Sequence, residues 1–267
     1  MKIISFNING LRARFHELQA IIDKHSPDII GLQEIKVHDD QFPLETVQAM
    51  GYHVYHHGQK GHYGVALLSK KEPIRIQKGF DTDVEDAQRR MIMGTFLDGD
   101  KEITIMNGYF PQGESIHHET KYPAKRKFFA DLMTHLHTNC TPDQNLIIMG
   151  DINIASLDLD IGIGEKNAKR WLRTGKCSFQ PEERQFFKDI IDWGFQDTFR
   201  LQHPDDDDKF SWFDYRSKGY LENRGLRIDV ILATESLAQS LKNTGIDFDM
   251  RAIEKPSDHA PIWAEFD

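Results

Sequence analysis

Near the C-terminus, Lys255-Pro256-Ser257-Asp258-His259-Ala260-Pro261 sets a carboxylate beside an imidazole between two prolines, just before the alternating apolar run Ile262 to Phe266. That alternation is the period of a strand, so Asp258 and His259 stand at the mouth of a sheet, where loops on a rigid scaffold carry function. Alone, such a pair is no more than a turn; its weight comes from the residues that could join it. Asn7 and Asn9 end one apolar run, Asp151 and Asn153 end another, and residues two apart in an extended chain project to the same side. Glu34 closes the run that starts at Asp28, Tyr109 closes the one that starts at Ile103, and Asp229 opens its own. Antiparallel neighbours bring the end of one strand beside the start of the next, so all these groups can line one rim. Glu34, Asp151, Asp229 and Asp258 would then repel one another, and a divalent cation removes the repulsion. Oxygen donors without cysteine suit Mg²⁺ or Mn²⁺ rather than zinc. Such an ion polarises a phosphoryl oxygen and helps generate hydroxide. Hydrolysis of a phosphodiester needs its barrier lowered by an amount on the order of 20 kcal/mol, more than a lone general base supplies. A metal acting with His259 and Asp151 fits that requirement.

The elements that must position these groups alternate in type. Strand-like runs cover 2–8, 28–34, 52–57, 63–69, 91–97, 102–110, 145–152, 197–200, 210–215, 227–234 and 260–266. Helical periodicity covers 12–25, with Phe15, Leu18, Ile21 and Ile22 on one face, and 122–138, with Ala124, Phe128, Leu132 and Leu136 in a stripe. Pro181-Glu182-Glu183 is a third helix start, with proline and acid in the first turn. Many strands and few helices predict two packed sheets covered by helices. A faint internal echo links Ile3 to Asn9 with Leu146 to Asn153, each an apolar strand ending in polar-x-Asn.

The 267 residues can bury a full core, and no linker interrupts them, so one domain over 1–267 is expected. A hydrophobic content of 39% with 28% charged residues excludes a disordered chain. No apolar run approaches the roughly 20 residues of a bilayer helix, and the opening Met1-Lys2-Ile3-Ile4-Ser5 reads as a strand rather than a signal peptide. A cytoplasmic monomer is the expectation. Cys140 and Cys177 lack any CxxC or Cys/His spacing, which argues against structural zinc. The net charge of −9 discourages a polyanionic partner only on average. Cations gather at Lys121 to Lys127, at Lys166 to Lys176, and at Arg216, Lys218, Arg224 and Arg227, and local field steers a charged ligand. There is no GxSxG elbow, Gly162-Ile163-Gly164 lacks the third glycine of a dinucleotide fingerprint, and Gly175-Lys176-Cys177 is no phosphate loop.

Gly31-Leu32-Gln33-Glu34, Asn107-Gly108-Tyr109-Phe110-Pro111, Gly150-Asp151-Ile152-Asn153, Arg227-Ile228-Asp229 and Ser257-Asp258-His259-Ala260-Pro261 together resemble the endonuclease/exonuclease/phosphatase family. The likeness runs from Lys2 to Phe266. It extends to Lys169 to Phe179, Phe210 to Gly219 and Asn223 to Asp229, long segments similar to the branch that acts on abasic sites. The resemblance implies a four-layer α/β sandwich of the deoxyribonuclease I-like kind, with two mixed, mostly antiparallel sheets flanked by helices and the site on one edge. It implies a DNA-repair nuclease that degrades duplex DNA 3′ to 5′, incises 5′ to abasic sites and removes 3′-phosphates and blocked 3′ ends, with ribonuclease H activity besides. By the same analogy Glu34 binds one or two ions of Mg²⁺ or Mn²⁺, with Asn7 and Asp258 close by and Asp151 and Asn153 within reach. Asp151 prepares the attacking water, Asn153 orients water or phosphate, Tyr109 hydrogen-bonds the phosphate or leaving oxygen, and Asp229 pairs with His259. A flanking carboxylate raises a histidine's pKa, which favours an imidazolium that holds phosphate charge over a neutral base.

Arg90, Gln112, Lys121, Arg216 and Lys218 match positions implied to lie near the duplex, on phosphates, where they set register without reading sequence. Trp212 is expected to stack at the abasic gap, with Phe213 beside it, although core packing is the ordinary fate of both residue types. Two other readings compete. A small-molecule or lipid phosphatase on the same fold would release phosphate without acting on DNA, and an inactive DNA-binding module would bind without cleaving.

Overall fold

The structure is a computed structural model that describes residues 1–267. Its strands are Lys2–Asn7 (β1), Ile29–Gln33 (β2), His53–His57 (β3), Val65–Ser69 (β4), Arg75–Lys78 (β5) and Met91–Asp98 (β6). They continue with Lys101–Tyr109 (β7), Asn145–Asp151 (β8), Phe195–Asp197 (β9), Asp229–Thr234 (β10), Leu241–Ile246 (β11) and Ile262–Phe266 (β12). The α-helices are Phe15–His25 (α1), Leu44–Gln48 (α2), Lys121–Asn139 (α3), Glu165–Thr174 (α4), Pro181–Trp193 (α5), Thr198–Gln202 (α6) and Glu235–Ala238 (α7).

Two six-stranded sheets run in the orders β11-β12-β1-β2-β4-β3 and β5-β6-β7-β8-β10-β9. Pairing is antiparallel except between β1 and β2 and between β7 and β8. Alternation along the strands creates the layers. Ile3, Ile29, Val65, Leu67, Ile105 and Ile147 point between the sheets, while Ile4, Phe6, Ile30, Leu32, Ala66 and Leu68 face Leu18 and Ile21 of α1. On the far side, Met106, Leu146 and Ile148 pack against Phe128, Leu132 and Leu136 of α3 and Phe187 and Ile190 of α5. This is the four-layer sandwich implied by the family motifs, with two mixed sheets between helices.

Two glycines of those motifs are set by close approach. A Cβ on Gly31 would lie 2.6 Å from Asn107 Oδ1 and 2.4 Å from the Met149 methyl, where the sheets meet. Asn107 fills that junction, accepting from Gln33 Nε2 at 2.6 Å and donating to the carbonyls of Leu32 and Ala66. Gly150 has φ +143, and a Cβ there would stand 1.9 Å from the carbonyl oxygen of Gly108 on the neighbouring strand.

Several elements differ from the sequence reading. The segment 197–200 begins a helix instead of forming a strand, because Asp197 caps the amides of Phe199 and Arg200 and starts α6. Residues 210–215 join no ladder; Trp212 makes only isolated bridges to Leu226 and His259. The edge strands β5 and β11 and the helices α2, α4 and α7 lie outside the runs that the sequence pattern marks. The echo also falls on non-equivalent strands. The sheets repeat as β1-β2-β4-β3 against β7-β8-β10-β9, so β8 matches β2 in position rather than β1.

Candidate active site

Strand register brings the site together. Tyr109 and Asp151 end the parallel pair β7 and β8 directly opposite each other, and Asp229 opens antiparallel β10 opposite Asp151. On the facing sheet Asn7 ends β1 opposite Gln33, and Glu34 follows with φ +49, a left-handed turn that ends the strand. Asn7 Nδ2 spans both sheets, donating to Glu34 Oε1 and to Asp151 Oδ2, each at 2.9 Å. Asn9 Nδ2 donates to Asp258 Oδ1 at 2.8 Å, and Trp212 Nε1 donates to Asp258 Oδ2 at 3.1 Å. Asn153 has φ +55; its amide donates to Asp151 Oδ1 at 3.0 Å and its Nδ2 to the Phe110 carbonyl at 2.9 Å. His259 Nδ1 lies 2.8 Å from Asp229 Oδ2, and its Nε2 lies 3.7 Å from Asp151 Oδ2. A carboxylate accepts, so the Nδ1–H points at Asp229 and Nε2 faces Asp151.

Glu34, Tyr109, Gln112, Asp151, Asn153, Trp212, Asp258 and His259 line one open cavity of about 220 Å³. Asp151, Asp229 and His259 are buried beneath it. Burial raises the Asp151 carboxyl, with Asp229 and Glu34 adding to the rise and His259 and Asn7 opposing it, to about 8. Burial works against a charged His259, but Asp229 and Asp151 outweigh it and hold the imidazolium up to about 10. Burial, then Glu34 and Asp151, push the Tyr109 phenol well above its usual value, so it stands as a neutral donor. The cavity thus has a wall of acidic side chains with a buried cation, His259, set into its floor.

A divalent ion fits this wall. The donors are oxygens; burial, with Asp229 and Glu34 adding to it, pushes Asp151 toward the neutral form; and the buried Asp229 Oδ1 has no hydrogen-bond partner. Ligand atoms of Asp151, Asp229 and His259 lie within 4.8 Å of one another. A protonated His259 has no lone pair to give a metal, so the carboxylate oxygens, Asp151 and the Glu34 that Asn7 joins to it among them, are the better donors.

Residues expected on the duplex divide. Trp212 is half-buried on the rim, Gln112 lines the cavity, and Arg216 and Lys218 are exposed in the loop after Trp212. Lys121 is exposed but paired with Glu114 at 2.5 Å. Two assignments need correction. Phe213 is fully buried, packed edge-on against Tyr220 and near Phe248, so its ring offers DNA no face. Arg90 is buried as well, stacked over Tyr63 at 4.4 Å and Tyr109 at 4.8 Å and donating to the Tyr109 carbonyl at 3.1 Å. It supports Tyr109 instead of meeting a phosphate.

Other contributors went unassigned in the sequence. Lys36 Nζ stands 3.0 Å from Glu34 Oε2, and its position two residues beyond Glu34 was the available signal. Ser257 Oγ donates to the Asn7 carbonyl at 2.6 Å and accepts from the His259 amide, which ties the last loop to β1. Ser211 Oγ accepts from the amides of Ile228 and Asp229 and seats the start of β10. Lys176 and Trp171 also line the cavity, with Nζ 3.7 Å above the indole.

The model of the endonuclease/exonuclease/phosphatase family matches residues 4–259. The chain belongs to this family. It is 62% identical over 266 residues, 100% of both chains, to the protein named exodeoxyribonuclease III of Haemophilus influenzae. It is 30% identical, over 98% of both chains, to an exodeoxyribonuclease of Bacillus subtilis. Among solved structures, a 3′ phosphatase from Neisseria bound to a product DNA hairpin superposes with a TM-score of 0.91 at 35% identity, over 100% of this chain and 99% of that one. An AP endonuclease from Archaeoglobus fulgidus gives 0.91 at 34% identity with the same coverage.

Proposed function

We infer that this chain is a metal-dependent DNA-repair nuclease that hydrolyses phosphodiesters as a 3′ to 5′ exonuclease on duplex DNA, incises 5′ to abasic sites and removes 3′-phosphates and blocked 3′ ends. Ribonuclease H activity would come from the same centre. The observation that carries the reading is the in-register trio Tyr109, Asp151 and Asp229, joined to Glu34 by Asn7, in a chain 62% identical to an exodeoxyribonuclease III. The names of the Neisseria and Archaeoglobus proteins support the 3′-phosphatase and abasic-site activities.

Glu34 and Asp258, with Asn7, Asp151 and Asn153, would hold one or two ions of Mg²⁺ or Mn²⁺, which supply Lewis-acid polarisation of a phosphoryl oxygen. Asp151, held as a carboxylate once a divalent ion sits beside it, would orient the attacking water and draw its proton, and Asn153 would fix water or phosphate beside it. The neutral Tyr109 donates to a phosphate oxygen or to the leaving oxygen. His259, kept charged by Asp229, holds the negative charge that grows on the phosphoryl oxygens. A rate that falls when a histidine-like proton is lost supports that role, whereas a rate that rises assigns His259 as the base. Trp212 stacks against the gap left by a missing base, Gln112, Lys121, Arg216 and Lys218 hold the backbone, and the chain works as one domain, a monomer in the cytoplasm. No helix is long and apolar enough to cross a membrane.

The test is incubation with a duplex bearing one abasic site, with Mg²⁺, with Mn²⁺ and with EDTA. Metal-dependent cleavage supports the nuclease. Binding without cleavage points to an inactive DNA-binding module, and phosphate release from lipid or inositol substrates with inert DNA points to a phosphatase.

A further inference from the structure

Lys125 on α3 and Glu183 on α5 form an ion pair at 2.6 Å with both side chains wholly removed from solvent. A pair this dry is a poor source of stability, because desolvating two charges offsets their attraction and apolar side chains of similar size pack as well. What apolar side chains cannot do is hold polar backbone. Besides Glu183, Lys125 Nζ reaches the carbonyl of Asn153 at 3.0 Å and that of Gln112 at 3.4 Å, which uses all three of its donors. Both carbonyls lie on the loops that leave β7 and β8, just beyond Tyr109 and Asp151. The other oxygen of Glu183 accepts from the amides of Ser178 and Gln180, each at 2.8 Å, and the Ser178 carbonyl accepts from Ala155 at 2.6 Å. One buried pair therefore ties three loops of the cavity rim to the two helices behind them. Asn153 has φ +55, a left-handed conformation that asparagine adopts readily, and this turn aims its carbonyl at Lys125 while its amide stays on Asp151.

We propose that Lys125, supported by Glu183, is a positioning residue that fixes the backbone of Asn153 beside Asp151, its longer contact to Gln112 being secondary, and so sets the rate of phosphodiester cleavage far more than DNA affinity. The proposal rests on the nuclease reading. The test compares K125M, E183Q and K125M/E183Q with the wild-type chain in Mg²⁺, on a duplex with one abasic site. It measures single-turnover rate, KM and Tm. K125M strands a buried carboxylate and melts lower, while the double variant removes both charges and recovers Tm. Because a misplacement near 1 Å costs about 100-fold in rate, the double variant is expected to stay 30- to 100-fold slow with KM within about threefold of wild type. E183Q strands the buried ammonium of Lys125 and melts lower, but the amine still reaches both carbonyls, so it is expected to keep more of the rate than either variant that lacks Lys125. A rate that follows Tm across the three variants, instead of following the presence of Lys125, makes the pair structural and overturns the proposal. So does a double variant at the wild-type rate, or one whose loss lies in KM. A wild-type chain inert on this duplex defeats the nuclease reading itself, whereas an active wild type with an equally active double variant defeats only the positioning role.

Discussion

Asn7 Nδ2 donates to Asp151 Oδ2 over 2.9 Å, joining the last residue of β1 to the last residue of β8 across 144 positions of sequence and from one sheet to the other. The same amide group also holds Glu34 Oε1. Two carboxylates from opposite sheets are thus set at a fixed separation by one side chain. Removing it frees both, so Asn7→Ala should lower the incision rate by about 100-fold. The stability loss should be ~1–3 kcal/mol, the cost of leaving buried partners unsatisfied. Single-turnover kinetics with urea melts separate the two effects, and an unchanged rate in a destabilised variant would show that the bridge serves only the fold.

How much of this was readable beforehand depends on where the information sits. Asn7, Glu34, Tyr109, Asp151 and Asp229 could be singled out because each interrupts an apolar run at its end, a local signal. That Asp229 faces Asp151 and that Asn7 joins two sheets are matters of register, which no local pattern carries. The edge strands Arg75–Lys78 and Leu241–Ile246 have no clear signature in the sequence, because edge strands carry charged and polar residues that break the alternation. Helix Glu165–Thr174 was hidden within a basic cluster, with Trp171 its one fully turned-in side chain. Phe213 and Arg90 were misplaced for a related reason: basic or aromatic neighbours in sequence say nothing about which side chain the chain folds over.

The two aromatic neighbours Trp212 and Phe213 should therefore separate cleanly. Trp212 stands half-buried on the cavity rim with its indole N–H on Asp258, so Trp212→Ala should cut abasic-site incision far more than hydrolysis of a small phosphate ester. Phe213 is fully buried, so Phe213→Ala should cost ~3–5 kcal/mol of stability and depress both reactions alike. Parallel assays with thermal melts check both, and equal losses on the two substrates in Trp212→Ala would argue against stacking.

Glu17 on α1 connects stability to pH. Its fully buried side chain accepts from the Ser257 amide at 3.0 Å, and burial pushes its carboxyl up to about 7 against the opposing pull of that amide and of Arg14. A carboxyl raised on folding contributes stability that is complete below its unfolded value near 4.5 and is lost as pH rises through about 7. Wild-type stability should hence decline between about pH 4.5 and pH 7 by a component of up to ~3 kcal/mol, and be flat in this component above that. Glu17→Gln keeps an acceptor for Ser257 and should lack that component. Urea unfolding of both proteins across this range measures it, and parallel pH profiles would rule out the buried carboxyl as its source.

Arg90 and Arg216 look alike in sequence and should behave oppositely. Arg90 is buried between Tyr63 and Tyr109 and donates to the Tyr109 carbonyl, so its loss should displace the phenol. Arg90→Ala is expected to reduce kcat by tenfold or more, while the dependence of DNA affinity on salt stays as in wild type, because no phosphate contact disappears. Arg216 is exposed in the loop that follows Trp212 and is free to meet the backbone of a duplex. Arg216→Ala should leave kcat nearly intact, weaken binding of all duplexes alike, and lower the slope of log affinity against log salt by about 1. Titrations of uncleaved duplex in EDTA at several salt concentrations, alongside kcat in Mg²⁺, measure both quantities. A reduced salt slope in Arg90→Ala would return that residue to the DNA surface, and an unchanged slope in Arg216→Ala would remove Arg216 from it.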